Sequence, residues 1–530
     1  MSAEKSGSYK RRLRWGLAGV VLFCAGSLNA QGIEPFRAGD GGIARLVEIT
    51  AVARSVSHRY PWRNTVYVQR KSPGFYVAQD LVLASRLDIR GAVSFVVRDL
   101  RTGRRYSASI MARDAELRLA ILKLHREKAP ADKTVRAMKI ISDISEFLKG
   151  VREVQCLNLR SYTKYARPVK QTIFLKGVRS RPAPGGNTRL PTLLFSSWEP
   201  GIAAGDLLVT DNNLVGIVLS FDDRTRYGHA MPAVFIDQYL RAYRRPATGG
   251  KKGPLVIKEK KDIRRPDATI VAGMGFRYMP VERSSMKSFL GVSDKVNPIL
   301  VTHVFAYGGA FERLIKGDVI LAVDGEEPGP GGTLRDRVLG RLPLDAALAV
   351  KNGRLRRSGE SIKLRISRNK TVREIEIFTR SFSFDNYYVP PMFPRPAYRV
   401  LQGLVLVELS SDYIKEAPGA SHRLRYLEER ARYRRYRNDD RYVVLDRVLP
   451  VKANAGYSER GLLVLSVNGI GVRSLRHLES LVNRARAKKL PIVLYLEGNR
   501  EIVLNPDNSL DADREVRRRH GIQFMSDTSK

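Results

Sequence analysis

From Ala44 to about Ala242, apolar and polar residues alternate in short runs, among them Thr65 to Gln69, Gly74 to Val77, Val93 to Arg98, Arg105 to Met111 and Leu119 to Leu124. A period of two sends successive side chains to opposite faces of a strand. The runs are punctuated by Gly, Asp and Asn, and strands at such close spacing predict a barrel or a sandwich. A helix over Ala233 to Tyr243 closes this region, and a polar, basic stretch containing Gly249-Gly250-Lys251-Lys252-Gly253-Pro254 marks a boundary. Two α+β units follow. The first contains Gly273-Met274-Gly275-Phe276, then Ile299 to Val304 and Leu314 to Gly325, and is closed by strands near Ser361 to Ser367 and Glu374 to Phe378. In the second, Gly461 to Gly469 corresponds to Gly317 to Gly325, followed by a helix at Leu475 to Arg486 and a strand at Ile492 to Glu497. An internal repeat links the two: Val323-Asp324-Gly325 and Val467-Asn468-Gly469 each end an apolar strand in a turn. The predicted divisions are residues 44–245 for the β region, 246–261 for the linker, 262–383 and 384–510 for the two units, and 511–530 for a C-terminal tail.

The first 30 residues stand apart from this pattern. Lys10, Arg11, Arg12 and Arg14 precede an apolar run from Gly16 to Leu28, and Ala30 places a small residue before Gln31. That layout predicts a secretory signal peptide over 1–30, cut after Ala30, followed by a short segment, 31–43. The apolar run is shorter than the roughly 20 residues a spanning helix needs, so an uncleaved anchor is the lesser alternative. The expected destination is the periplasm or cell envelope. Removing the segment leaves Cys156 as the single cysteine, which excludes an internal disulfide and reads as a buried, small apolar side chain.

The net charge is +40, from 93 Lys and Arg against 53 Asp and Glu. Such a field attracts anionic surfaces. The charge is spread along the chain, which favours a solvated surface over a specific nucleic-acid site. The strongest local case is Arg430 to Arg437, where Tyr433 and Tyr436 alternate with arginines and could stack bases. Leu424, Leu427 and Ala431 make the same segment an exposed amphipathic helix, and that is the preferred reading. No metal or cofactor is called for.

Three motifs in the β region carry a resemblance. Gly74-Phe75-Tyr76-Val77 precedes Leu81-Val82-Leu83-Ala84-Ser85-Arg86-Leu87; Ala112-Arg113-Asp114 precedes Arg118-Leu119-Ala120-Ile121-Leu122-Lys123; and Gly201-Ile202-Ala203-Ala204-Gly205 precedes Leu214-Val215-Gly216-Ile217-Val218. Their order and spacing resemble the protease domain of the HtrA/Deg family. The two later units resemble PDZ domains, in a layout similar to plant-type Deg proteases. The resemblance implies a mainly β fold: a trypsin-like double β-barrel followed by two α+β PDZ-like domains. It also implies that the catalytic His, Asp and Ser positions hold Leu87, Arg118 and Ala203. Serine hydrolysis needs a hydroxyl, an imidazole base and a carboxylate to orient it. None of these three side chains supplies its part, and Ala204 stands where the nucleophile turn has glycine. The seven histidines, His58, His125, His229, His303, His422, His477 and His520, all lie outside the Ala84–Leu87 corner.

Gly273-Met274-Gly275-Phe276 matches the carboxylate-binding loop of PDZ domains, which take an extended peptide as an added strand. The counterpart in the second unit, Gln402-Gly403-Leu404-Val405, departs from that pattern. The expected function is an exported, non-catalytic scaffold or chaperone-like quality-control factor. It would bind unfolded proteins or protein C-termini through Gly273, Met274, Gly275 and Phe276. Homo-oligomers, trimers or their multiples, follow from the resemblance. The alternatives are an active HtrA-type serine endopeptidase and a basic envelope protein that binds anionic partners.

Overall fold

A computed structural model describes residues 46–527 except 56, 64–65, 86–91, 115, 126–136, 161–166, 185–187, 244–269, 307, 382–395, 418–420 and 432–439. The leader, the linker 246–261 and Leu87 therefore lie outside the described residues, as does the part of the Arg430–Arg437 segment beyond Ala431.

Six strands close the first barrel: β1 (Leu46–Ser55), β2 (Val66–Ala78), β3 (Leu81–Ser85), β4 (Ala92–Asp99), β5 (Arg105–Asp114) and β6 (Leu119–His125), in the order β1-β2-β3-β6-β5-β4. The runs expected at Thr65 to Gln69 and Gly74 to Val77 merge, from Val66 on, into one strand. Residues 70–73 stay paired with β1, and Gly74 permits the close crossing, since a Cβ there would lie 2.6 Å from Ile49 Cδ1 and 2.8 Å from the Leu83 carbonyl. Val47, Ile49, Tyr76, Val82, Phe95 and Leu122 fill the interior, and the buried Tyr76 hydroxyl donates to Asp99 Oδ2 at 3.0 Å.

The second barrel uses β7 (Lys139–Ile140), β8 (Arg152–Arg160), β9 (Arg167–Pro182), β10 (Arg189–Ser196), β11 (Leu207–Thr210), β12 (Asn213–Asp222) and β13 (Tyr227–Pro232). Its order is β11-β8-β9-β10-β13-β12-β7, and pairing of β11 with β12 closes the ring. Cys156 on β8 is fully buried, and α1 (Ala233–Ala242) packs Val234, Phe235, Ile236 and Tyr239 into the same core.

The first α+β unit contains β14 (Ala272–Gly273), β15 (Phe276–Pro280), α2 (Ser284–Phe289), β16 (Ile299–Val304) and β17 (Val319–Val323). It continues through the hairpin β18 (Thr333–Asp336) and β19 (Gly340–Pro343), then α3 (Leu344–Ala349) and the hairpin β20 (Val350–Lys351) and β21 (Arg354–Leu355). Strands β22 (Ser361–Arg368), β23 (Thr371–Phe378) and β24 (Arg380–Ser381) complete it, and the main sheet runs β15-β16-β17-β22-β23. The second unit comprises β25 (Tyr398–Leu401), β26 (Leu404–Glu408), α4 (Ser411–Glu416), α5 (Ser421–Ala431), β27 (Val443–Val448), β28 (Leu462–Val467) and β29 (Ile470–Gly471). After it come α6 (Leu475–Ala487), β30 (Ile492–Leu496), β31 (Arg500–Leu504), α7 (Ser509–His520) and β32 (Ser526–Asp527). The two repeated turns share one backbone: φ is +48° and +85° at Asp324-Gly325 and +49° and +80° at Asn468-Gly469. Helix α5 occupies the arginine-rich segment up to Ala431, with Leu424 and Ala431 buried. Beyond residue 510 the chain stays part of the second unit: Ala512, Val516, Ile522 and Met525 share its core, and the Val400 N–H donates to the Met525 carbonyl at 2.7 Å.

The three parts are packed together. Leu339, Leu342, Ala346, Ala349 and Leu355 of the first unit belong to the same apolar core as the second barrel. Gln238 of α1 exchanges two hydrogen bonds with the Leu355 backbone, and Arg189 pairs with Asp345 at 3.3 Å. The β1–β2 connection reaches the second unit. Glu416 Oε2 accepts from Ser57 Oγ and the His58 N–H, both at 2.9 Å, while Arg59 lies 3.3 Å from Asp446. At the seam between barrel and first unit, buried Asp114 accepts the N–H groups of Glu116 and Leu117 through Oδ1, and that of Ile270 through Oδ2 at 2.7 Å. Leaving buried donors unmet costs about 1–3 kcal/mol. An Asp114→Ala variant is therefore expected to lose roughly that much stability in urea denaturation; a loss below a few tenths would show that the carboxylate does not organise the seam.

Candidate functional site

Two sites follow from the residues singled out above. The first lies between the barrels. Strand β3 ends at Ser85, fully buried, whose hydroxyl sits 2.7 Å from the Gly205 carbonyl and 3.1 Å from that of Pro73. The Ser85 carbonyl in turn accepts from Ser72 Oγ at 2.6 Å. The end of β3 is thus tied to the loop that carries Ala203. In that loop the Ala203 N–H donates to Asp206 Oδ2 at 2.7 Å, and Asp206 is only 4% exposed. In a serine hydrolase the nucleophile's own N–H faces the developing oxyanion, and the resemblance sets Ala203 at that position. Here a buried carboxylate takes that donor, and an oxyanion drawn to it would meet like charge. Gly201 and Gly205 have φ of +85° and +102°, whereas Ala204 has no positive φ and so carries no left-handed strain. The loop has a conformation that alanine tolerates. Arg118 stands exposed at φ +52° between Leu117 and Leu119. The structure brings Ala203 and the end of β3 together; Leu87 is outside the described residues.

A histidine and a serine do meet elsewhere: His125 Nε2 is 3.0 Å from Ser109 Oγ, on the exposed face of β5 and β6. No carboxylate is hydrogen-bonded to this imidazole among the described residues. It is a cross-strand surface pair rather than a displaced triad.

The second site is the edge of β15. The carbonyls of Met274 and Gly275 accept the N–H groups of Ala310 and Phe305, at 2.8 and 2.7 Å. Trans peptide planes then direct the N–H groups of Gly275 and Phe276 away from the 305–310 segment. The register agrees: Phe276 faces Val304 as a non-hydrogen-bonded pair, which turns its own N–H and C=O to the outer edge. That edge carries no partner strand among the described residues, and α3 lies beside it, with the Asp345 N–H 3.4 Å from the Tyr278 hydroxyl. Strand β15 and helix α3 thus lie side by side, with the 273–276 loop leading into the strand. Helix α5 of the second unit reaches the same strand through an Arg277–Glu429 pair at 2.6 Å.

The corresponding loop of the second unit is closed. Gln402 and Gly403, at φ +46° and +88°, make a two-residue turn that pairs β25 directly with β26. Asn454 Nδ2 donates to the Gln402 and Leu449 carbonyls, both at 2.8 Å, and the Leu449 N–H donates to the Gly403 carbonyl. Strand β26 is flanked on both sides, by β25 and β27, and β32 covers the far edge of β25. A peptide could not add to β26 without displacing a strand.

A PDZ-domain family model matches residues 392–530, the second unit with its last helix and strand. Protease Do-like 4, mitochondrial, of Arabidopsis thaliana is 24% identical over 492 residues, which cover 91% of this chain and 85% of that protein. The chain is HtrA/Deg-like. Protease Do-like 2, chloroplastic, of the same plant is 22% identical over 495 residues, covering 90% of this chain and 74% of the relative. The HtrA-type protease AlgW with a decapeptide superposes with a TM-score of 0.43 at 17% identity, over 64% of this chain and 96% of that one. The HtrA/Deg-like architecture is mainly β, a trypsin-like double barrel followed by PDZ-like units.

The loop at 273–276 rests on glycine. A Cβ on Gly275, which has φ +75°, would lie 2.2 Å from the Gly308 Cα, backbone against backbone. Substitution where φ is positive costs about 1 kcal/mol before any clash. Gly275→Ala is expected to lower the urea midpoint by more than that cost alone implies; an unchanged midpoint would mean that the two glycine segments are not in contact.

Proposed function

We propose that this HtrA/Deg-like protein is a non-catalytic, peptide-binding scaffold, acting in protein quality control by capturing exposed protein C-termini or unfolded segments on its first PDZ-like unit. The observation that carries the reading is the contrast between the two sites. Between the barrels, the alanine at the nucleophile position has no hydroxyl and its N–H is spent on Asp206. At β15, the loop N–H groups and the strand edge point outward beside a helix, the arrangement that lets a peptide add as a strand with its terminal carboxylate at the loop. The second unit, with both edges of β26 occupied, serves packing: it holds the β1–β2 connection through Glu416 and Asp446.

The relatives named as proteases favour a second reading, an active serine endopeptidase. A fluorophosphonate probe separates the two. The native protein is expected to stay unlabelled, and so is the triple variant Leu87→His, Arg118→Asp, Ala203→Ser, because Asp206 still occupies the Ala203 N–H. Removing one triad member already costs orders of magnitude in rate, and the losses are not additive. Labelling of the native chain at any serine would sink the non-catalytic reading.

Recognition is tested with paired peptides that end in an apolar residue. Free-acid peptides are expected to bind about tenfold or more tightly than their C-terminal amides, since a charged hydrogen bond contributes about 1.5–3 kcal/mol. A moderate rise in salt should leave a neutral-bodied peptide largely bound, whereas attraction to the net +40 chain would be screened within about 10 Å at 0.1 M. Equal binding of acid and amide, both abolished by salt, would favour the anion-binding alternative.

The leader-like first 30 residues support export, and among the described residues no helix is long and apolar enough to cross a membrane. The plant relatives are named mitochondrial and chloroplastic, so delivery across a membrane is the feature common to both settings. Mass spectrometry of the protein from its own cells is expected to find an N-terminus near Gln31; an intact Met1–Ala30 segment would contradict cleavage. Trimeric assembly is proposed from the family resemblance, to be read by light scattering.

A further inference from the structure

A cavity of about 400 Å³ opens beside the barrel junction, lined by residues of both barrels and none of β15. Its floor is apolar: Leu119, Ile217, Leu219 and Met231 line it. Its rim is not. Arg118, from the β5–β6 turn of the first barrel, and Arg181, near the end of β9 of the second, both line it, and both side chains are exposed at the mouth. No carboxylate is among the described residues that line it.

His229, 7% exposed, also lines the cavity and stands in a defined hydrogen-bond chain. The Thr192 hydroxyl donates to the Arg179 carbonyl at 2.9 Å, so Nδ1 of His229, 3.2 Å from Thr192 Oγ1, must be the donor to that oxygen. Nε2 is then the acceptor, and it receives Arg181 Nε at 3.1 Å and Nη2 at 2.9 Å. The imidazole is neutral, and burial, with Arg181 and Arg179 beside it, holds its pKa below the usual histidine value. A neutral imidazole orients the Arg181 guanidinium without cancelling its charge. It occupies two of the five guanidinium N–H groups.

We infer that this cavity is a binding site for a carboxylate carried on an apolar body, the carboxylate meeting Arg118 and Arg181 and the body filling the space over Leu119, Ile217, Leu219 and Met231. Planar guanidinium groups match planar carboxylates, and the volume lies within the range of small-ligand sites. The inference turns on the same substitution that removes an acid from the HtrA/Deg pattern: an arginine at position 118 makes the rim cationic from both barrels. The carboxylate could be that of a free apolar acid or of a chain terminus, and the two are separable.

The test is calorimetric titration of the full chain with octanoate, octan-1-ol and an acetylated tetrapeptide ending in leucine. Octanoate is expected to bind saturably, and octan-1-ol about tenfold or more weakly, the equivalent of one charged hydrogen bond. Arg118→Asn, a side chain tolerant of the positive φ, and Arg181→Gln should each weaken octanoate by about the same factor. Displacement of octanoate by the tetrapeptide assigns the site to chain termini, and lack of displacement assigns it to free acids. Equal binding of octanoate and octan-1-ol to the native chain overturns the proposal. So does native-like octanoate binding by both variants. The alcohol comparison needs no variant and decides the matter even if one fails to fold. Failure here leaves the β15 reading standing, because Arg118 and Arg181 both lie on the barrels.

Discussion

The hydrogen bond between Ser85 Oγ and the Gly205 carbonyl joins the two barrels at the loop that carries Ala203. Around it the other contacts of the junction are arranged. Ser72 braces the Ser85 carbonyl, Asp206 closes the loop by taking the Ala203 N–H, and the Val218 N–H donates to the Asp206 carbonyl, so that β12 continues from the same knot. Buried hydrogen bonds contribute only about 1 kcal/mol net, yet an unmet buried partner costs more than that, so such a knot has no inexpensive intermediate state. A loop tied in this way is a structural joint, and the junction can carry arginine at 118 and alanine at 203 without loss of fold.

Recognition depends on a different constraint, the state of a strand edge. Both α+β units carry the same Val-Asp/Asn-Gly turn with the same backbone, and both place a strand after a glycine-containing loop. They diverge in what flanks that strand. At Gly275 the loop carbonyls are drawn to Phe305 and Ala310, so the next N–H groups face outward. At Gly403 a two-residue turn folds β25 back onto β26, and Asn454 and Leu449 take up the turn's own groups. The closed unit has instead become a platform for Ser57 to Trp62, with Trp62 against Tyr398 and Arg447 over the ring of Tyr60. One copy of the fold leaves a strand edge open, and the other packs against the barrel's β1–β2 connection.

Much of this was legible in residue order. The alternation between Ala44 and Ala242 located the barrel strands because a period-two pattern has few other solutions. Helix Ala233–Ala242 and helix Leu475–Ala487 fell within a residue or so of their expected ends. The resemblance of the Ala203 and Arg118 loops to the family's catalytic motifs rests on residue order and spacing alone. The capture of the Ala203 N–H could not be read from them, since Asp206 is three residues away and its side-chain direction depends on burial. The merging of two runs into β2 was hidden because Ser72-Pro73-Gly74 reads as a turn, while pairing to β1 keeps it extended. The packing of residues 511–527 into the second unit escaped a reading of local pattern, because Ala512, Val516, Ile522 and Met525 are apolar positions scattered through a charged segment. The cationic cavity draws on Arg118, Arg181 and His229, which no local motif connects.

The central claim, that chemistry has left the barrel junction while recognition persists at β15, can be tested in one measurement. Hydrogen-exchange mass spectrometry of the full chain, with and without a free-acid peptide ending in an apolar residue, reports the bound segment and the fate of the peptide together. The account predicts new protection at residues 274–280 and 344–349, none at 201–206, and a peptide of unchanged mass after prolonged incubation. Protection centred on 201–206, or cleavage of the peptide, would contradict it.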